Sequence, residues 1–543
     1  MIALALCVLA AAWLLYRRFL KPRRSPLWAV RGPPAASAIF GSAFELLGPP
    51  GEVEKAWARE YGDVLAWKGM LHEPSLQISD PETLRYILVT APHAFQKPPE
   101  VISGPLGDLF GGGLLVAEGD EHTRLRRIMG PSFTAPAINA LAPIMQRGAR
   151  ELRTVWTRRL EEHALDDASP LVLDVTPSVS RYTLEVIIEA AFGETAGTLE
   201  TGEDHALATA FSKLFTMQWA LPERAPGLLG WVRHAFDYLL VLVAVFMPSL
   251  IAYLPENAFG RQCRVVEAEA RKLIERRRDA LRAGSDNPDL LSSLLRSVDD
   301  PTAKLYMSEY ELRGQVKTML VAGHETTATA IDWTLEHLAR HPEVQTRLRE
   351  EIRSALGRAS SLGRDELDVS ELNALPFLDC VVREMLRVMP PVSSSSRVPL
   401  RDTVLPLSRP LTLRNGQVVD RLVAPAGSFI ILSIAVANMS PELFGDDAAS
   451  FRPERWLDGH LATRDVPHSV YSPLLSFLGG PHGCLGWRFA VLELKIAILS
   501  LIDAFEFQPS VSIASSPGFT TRPIIAGDPK AGTQLPLQVS FAA

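Results

Sequence analysis

The sequence predicts a mainly α-helical protein with a minor β-sheet region. Apolar residues recur at helical spacing around residues 308–340, 342–357, 374–389 and 485–503. Short apolar and β-branched runs near 64–67, 75–79, 411–413 and 429–434 have the length and composition of strands. The 543 residues are 47% hydrophobic and 22% charged, with no internal repeat and no low-complexity segment, as in one folded body with an extensive core.

A formal net charge of -7 excludes the strong basic excess of a nucleic-acid binder. Four cysteines, Cys7, Cys263, Cys380 and Cys484, are too sparse for a disulfide scaffold, and none belongs to a C-x-x-C pair. That usage fits a reducing compartment. A cysteine with a special task must then work alone or with a cofactor.

The first sixteen residues, MIALALCVLAAAWLLY, are uncharged and are followed by Arg17, Arg18, Lys21, Arg23 and Arg24. A secretory signal carries its charge before the apolar run, whereas charge after it keeps the following chain cytoplasmic. The run is shorter than the roughly 20 residues that span a bilayer, and snorkelling arginines extend it through Leu20. Residues 1–20 are therefore expected to be an uncleaved single-pass anchor, 21–42 a basic, Pro/Gly-rich hinge, and 43–543 one large folded domain. A second stretch, 238–255, holds 18 uncharged residues and is long enough for a span. Residues assigned below to one site lie on both sides of it, and a single crossing would separate them. A membrane-contacting surface segment is expected instead.

Residues 477–486 read FLGGPHGCLG, too rich in glycine and proline for a helix or regular strand. Immediately after, Leu485, Phe489, Leu492, Ile496 and Leu499 form the apolar stripe of a helix. Cys484 thus stands where a tight loop feeds a helix N-terminus, whose unpaired N–H groups and dipole favour a thiolate. Phe477, Gly480, His482, Cys484 and Gly486 match F-x-x-G-x-[RH]-x-C-x-G in full. This resembles the signature of the cytochrome P-450 family. The resemblance implies that Cys484 is the axial ligand of a haem b iron, with glycines letting the backbone approach the porphyrin and point N–H groups at the sulfur. It also implies that His482 contacts a haem propionate.

Residues 319–335, MLVAGHETTATAIDWTL, place Gly323, His324, Glu325, Thr326 and Thr327 in the middle of an apolar helical pattern. Glycine and threonine are weak helix formers, so the patch calls for a reason. AGHETT resembles the family's A-G-x-[DE]-T-[TS] element. By that match Gly323 makes room for dioxygen, while Glu325 and Thr326 organise proton delivery; His324 falls on a variable position and carries no role.

Further along, Glu384 and Arg387 sit three apart on one helix face, and FRPERW at 451–456 resembles the family's P-E-R-F segment. The resemblance implies a Glu384–Arg387–Arg455 network beneath the haem. In GDEHTRLRRIMGPSF, residues 119–133, Arg126 matches a propionate-binding arginine, and His122 departs from the usual tryptophan. Arg397 matches the second propionate arginine; the planar fork of arginine suits a carboxylate.

The resemblance covers essentially the whole chain and implies the cytochrome P-450 fold. It further implies a monooxygenase that inserts oxygen from O2 into a lipophilic small molecule. Electrons would come from NADPH–cytochrome P-450 reductase, with cytochrome b5 as an optional second donor. Arg124 and Arg127 are candidate docking charges. The 101–116 loop, Leu320 to Gly323 and Val392 to Ser396 are candidate pocket walls. Anchor and layout suggest the endoplasmic reticulum membrane with the catalytic domain cytoplasmic, and a fungal enzyme of terpenoid secondary metabolism. The alternatives are an electron-independent, peroxide-driven or rearranging haem-thiolate enzyme, and a non-catalytic haem-binding protein.

Overall fold

The structure is a computed structural model that describes residues 25–37, 40–69, 72–103, 105–166, 169–202, 205–216, 258–284, 289–299, 305–457 and 469–543. The apolar stretches 1–20 and 238–255 lie outside the described residues. Among the described residues no helix is long and apolar enough to cross a membrane. The described residues form two compact units, each assembled from separated segments.

The first unit comprises the described parts of Met1–Pro98, Val392–Ala448 and Thr463–Gly483. Its main sheet has five strands in the order Val64–Lys68, Pro74–Ile78, Ile430–Ser433, Ser394–Pro399 and Phe95–Gln96. Neighbours are antiparallel except Pro74–Ile78 and Ile430–Ser433, which run parallel with Leu76 opposite Ile430. Both parallel strands are buried along their full length. Ile430–Ser433 reads accordingly as an apolar run, whereas Pro74–Ile78 alternates and buries the polar Ser75 and Gln77 as well. Leu27, Leu76, Ile78, Ile430 and Leu432 share the core of this unit. The sequence run at 411–413 proves to be the end of a longer strand, Thr403–Thr412, paired with Val418–Ala424.

The second unit is mostly helical and comprises the described parts of Pro99–Pro391, Ala449–Ala462 and Cys484–Ala543. Its principal helices are α1 (Gly119–Met129), α2 (Ala142–Asp166), α3 (Thr176–Phe192), α4 (Glu309–Arg340), α5 (Pro342–Ser361), α6 (Pro376–Val388) and α7 (Trp487–Ala504). At its centre runs α4, opened by a capping box. The Ser308 hydroxyl accepts from the Glu311 N–H at 3.3 Å, and the Glu311 carboxylate accepts from the Ser308 N–H at 2.8 Å. Pro342 cannot continue the ladder and begins α5. That helix runs one turn past the periodic stretch, through GRASS, before Gly363 takes a positive φ of 73°. A three-stranded sheet packs Phe505–Pro509 and Leu171–Asp174 on either side of Pro536–Phe541, and a hairpin pairs Ile513–Ser515 with Pro523–Ile525.

Candidate active site

Cys484 lies two residues before Gly486, the N-cap of α7. Its side chain presents accessible surface, yet protein surrounds it on its other sides. Burial is the largest influence and pushes the thiol above its ordinary range, against the lowering by the Gly486 N–H and the Arg126 charge. The helix terminus favours the thiolate. Desolvation outweighs it, so a bound cation is what would complete conversion to the thiolate.

Arg126 is half-buried on the last turn of α1, close enough to interact electrostatically with the Cys484 sulfur. Burial lowers its guanidinium from the ordinary range and the sulfur opposes that shift. His122 stands one turn earlier on the same face and is buried. In the first unit, Phe477 packs edge-on against Tyr471 with centroids 5.6 Å apart. Gly480 has φ 62°, and a Cβ there would meet the Leu88 carbonyl oxygen at 1.9 Å, so no other residue fits. His482 is half-buried on the short 3-10 turn Gly480–His482. Arg397, buried on Ser394–Pro399, donates to the Ser395 hydroxyl at 2.9 Å and the Ser396 carbonyl at 2.7 Å.

Between Glu311 and Ala339, α4 is buried except at Arg313, His337 and a stripe of small residues. Ala322 is exposed, and Thr318, Gly323 and Thr326 are half-buried. Thr318, Ala322 and Thr326 repeat every four residues and so share a face. The Thr326 hydroxyl donates to the Ala322 carbonyl at 2.7 Å, leaving its lone pairs as acceptors.

Two residues of this helix have partners that the sequence did not reveal. The room left by Gly323 is taken by Ile187 of α3, whose side chain a Cβ would strike at 2.6 Å. The glycine permits close helix packing, and Ala322 bears the exposed surface. Arg522 grips both Glu325 carboxylate oxygens through Nε and one terminal nitrogen, and the Thr520 hydroxyl donates at 3.2 Å. Burial disfavours its charge, but the guanidinium overcomes that and holds the carboxyl below its ordinary range. His324 is buried against Ser180, its Nε2 2.8 Å from the hydroxyl, and burial lowers it to about 4.

Glu384, Arg387 and Arg455 meet in the interior. Arg387 binds both Glu384 oxygens at 2.9 and 2.8 Å, and Arg455 Nε donates to Oε1 at 2.8 Å. The Trp456 indole N–H and the Arg452 backbone N–H also donate to Glu384, at 3.0 and 2.8 Å. Both guanidinium groups reach the Ser450 carbonyl, at 2.9 and 3.2 Å. Arg124, expected on a docking surface, is engaged by Glu311 and by the Tyr306 carbonyl at 2.7 Å; Arg127 is exposed. Sequence reading missed Arg522, Thr520 and Ser180, whose partners lie 144 to 197 residues away. Only Trp456, inside FRPERW, carried a local signal.

The donor set is one cysteine. Among the described residues no group of three or more His, Cys, Asp or Glu is arranged to hold a metal ion. A single thiol with a guanidinium nearby suits an iron carried in its own anionic macrocycle better than a bare ion.

The sequence model of cytochrome P450 matches residues 31–524, and the chain belongs to that family. It is a haem-thiolate monooxygenase. The chain is 33% identical to "Cytochrome P450 monooxygenase 205" of Postia placenta, over 99% of this chain and 97% of that one. It is 32% identical to "Cytochrome P450 monooxygenase 128" of the same fungus, over 97% and 95%. To "Cytochrome P450 monooxygenase claU" of Ampulloclitocybe clavipes it is 28% identical, over 95% and 93%.

Proposed function

We propose that Cys484 would hold the iron of haem b in this enzyme and that the Ala322–Thr326 stripe would serve oxygen activation there. The observation that carries this is an accessible cysteine with the Gly486 N–H at its sulfur and Arg126 beside it, in the unit that also contains the accessible stripe of α4. Bound there, haem supplies reductive activation of dioxygen and O–O cleavage, which a thiolate ligand favours.

The chain's own residues prepare that chemistry. The Gly486 N–H and the Arg126 charge stabilise negative charge on the sulfur. Arg126, His122, Arg397 and His482 are assigned to the propionates, and Phe477, Gly480 and Gly486 to shaping the loop. Thr326 offers a hydroxyl that accepts and hands on a proton at Oγ1. Glu325, fixed by Arg522, keeps a carboxylate one residue from it. The Glu384–Arg387–Arg455 network is assigned to folding and cofactor retention.

The substrate is a lipophilic small molecule, a terpenoid of fungal secondary metabolism. Electrons come from NADPH through cytochrome P-450 reductase, and the protein acts at the endoplasmic reticulum membrane. The uncharged 238–255 run and the charge-flanked N-terminal run support a bilayer setting, and the fungal relatives support the biological context. Purified enzyme, a fungal reductase and NADPH should convert members of a terpene panel to products one oxygen atom heavier by mass spectrometry. Oxidation of fatty acids or polyketides with no terpene turned over would overturn the substrate class. Turnover with peroxide that gains nothing from NADPH and reductase would overturn the electron source.

A further inference from the structure

Seven residues after Glu325, α4 carries a second buried acid. Seven residues are 20° short of two full turns, so Asp332 shares the Glu325 face, about 10 Å further along. Asp332 is only 2% exposed. Its Oδ2 accepts from the Thr176 hydroxyl at 3.1 Å, while Oδ1 has no hydrogen-bond partner in the protein. Thr176 is half-buried at the start of α3 and donates its N–H to Asp174 at 3.3 Å. Asp174, also half-buried, accepts the Leu535 N–H at 2.9 Å.

The hairpin loop runs along this same face. Thr520 and Arg522 hold Glu325, and the Trp333 indole donates to the Thr521 carbonyl. The charged and titratable groups acting on Asp332 are Asp174, Arg522 and Glu325. Burial is the dominant influence and drives its carboxyl well above the ordinary range, despite the Thr176 hydrogen bond. One helix face thus carries an acid whose burial favours the protonated form and an acid whose guanidinium partner favours the carboxylate. Environments that push two acids apart in this way separate a proton donor from an acceptor.

We propose that Asp332 is a relay residue that resupplies Glu325 with protons drawn from solvent at Thr176, through a chain of internal waters long enough to cover the rise between the two acids. The step balances without electron transfer. The water nearest Glu325 gives it a proton, each water is refilled by the next, and the last takes the Oδ1 proton of Asp332. Thr176 passes its hydroxyl proton to Asp332 Oδ2 and recovers one from solvent. Because Arg522 makes Glu325 a weak base, the proton does not rest there and moves on toward Thr326. Asp332 acts through Glu325 and not on the reacting atoms, and the role rests on the oxygen-activating assignment of α4.

The test uses the full-length holoenzyme, with Asp332→Asn and Thr176→Val. Infrared spectra at neutral pH should show a protonated carboxyl band, sensitive to deuterium exchange, that Asp332→Asn removes and Thr176→Val shifts upward. During NADPH turnover with reductase and no organic substrate, both variants should release several-fold more hydrogen peroxide per NADPH and show a larger solvent isotope effect. If no carboxyl band is lost in Asp332→Asn, the inference is overturned. The same holds if the peroxide fraction is unchanged in both variants while wild type turns over normally. A wild type that gives the thiolate–CO spectrum but never consumes NADPH would instead overturn the monooxygenase reading, and the relay with it.

Discussion

Glu384 is completely buried and accepts three hydrogen bonds on Oε1 and two on Oε2, from Arg387, Arg452, Arg455 and Trp456. A carboxylate saturated in this way cannot be replaced by an amide, which turns a donor toward two guanidinium groups. Breaking a buried ion pair by removing one partner costs roughly 3–5 kcal/mol. Glu384→Gln should therefore lower the unfolding free energy by that order and yield protein with little haem, measured by urea titration and the haem-to-protein ratio. Gly480 makes a second residue-scale case. Its φ of 62° and the Leu88 carbonyl oxygen 1.9 Å from any added Cβ require the backbone to move. Gly480→Ala should cost on the order of 1–3 kcal/mol in strain, read as a lower Tm. The sequence motif named this glycine through its match to a haem loop. The backbone that crowds it, Leu88, lies far away in sequence and left no local trace.

At the scale of the element, α4 shows what periodicity reveals and what it hides. Its limits were legible because Ser308 and Glu311 form a capping box and Pro342 ends the ladder. The uses of its polar residues were not, because each depends on a segment that packs against it from elsewhere: Ser180 on α3, Ile187 beside Gly323, Arg522 on the hairpin. His324 yields a prediction at this scale. Burial lowers it to about 4 from 6.5, so the folded state resists its protonation. Above 6.5 both folded and unfolded chains are neutral at this residue and the full stability is present. Between 6.5 and about 4 only the unfolded chain takes the proton, and stability falls as the pH falls. A shift of that size corresponds to roughly 3 kcal/mol. His324→Phe should flatten the slope of unfolding free energy against pH in that window, measured by urea titration at several pH values. An unchanged slope would show that His324 titrates normally in the folded protein.

For the whole molecule, the order of motifs along the chain was more legible than the arrangement of the body that carries them. Cys484, the Glu384–Arg387 pair and FRPERW could be read directly, because each is a local pattern. The division into two units could not, since each draws on segments separated by hundreds of residues, with Val392–Ala448 joining the strands near the start of the chain. The central claim is that Cys484 binds the haem iron. It is tested most directly by the carbon monoxide difference spectrum of the reduced protein beside Cys484→Ala. Wild type should show the strongly red-shifted Soret band of a thiolate–iron–CO complex, and Cys484→Ala should lack it. A wild type that binds haem but gives an unshifted, histidine-like band, or a variant that keeps the shifted band, would contradict the account.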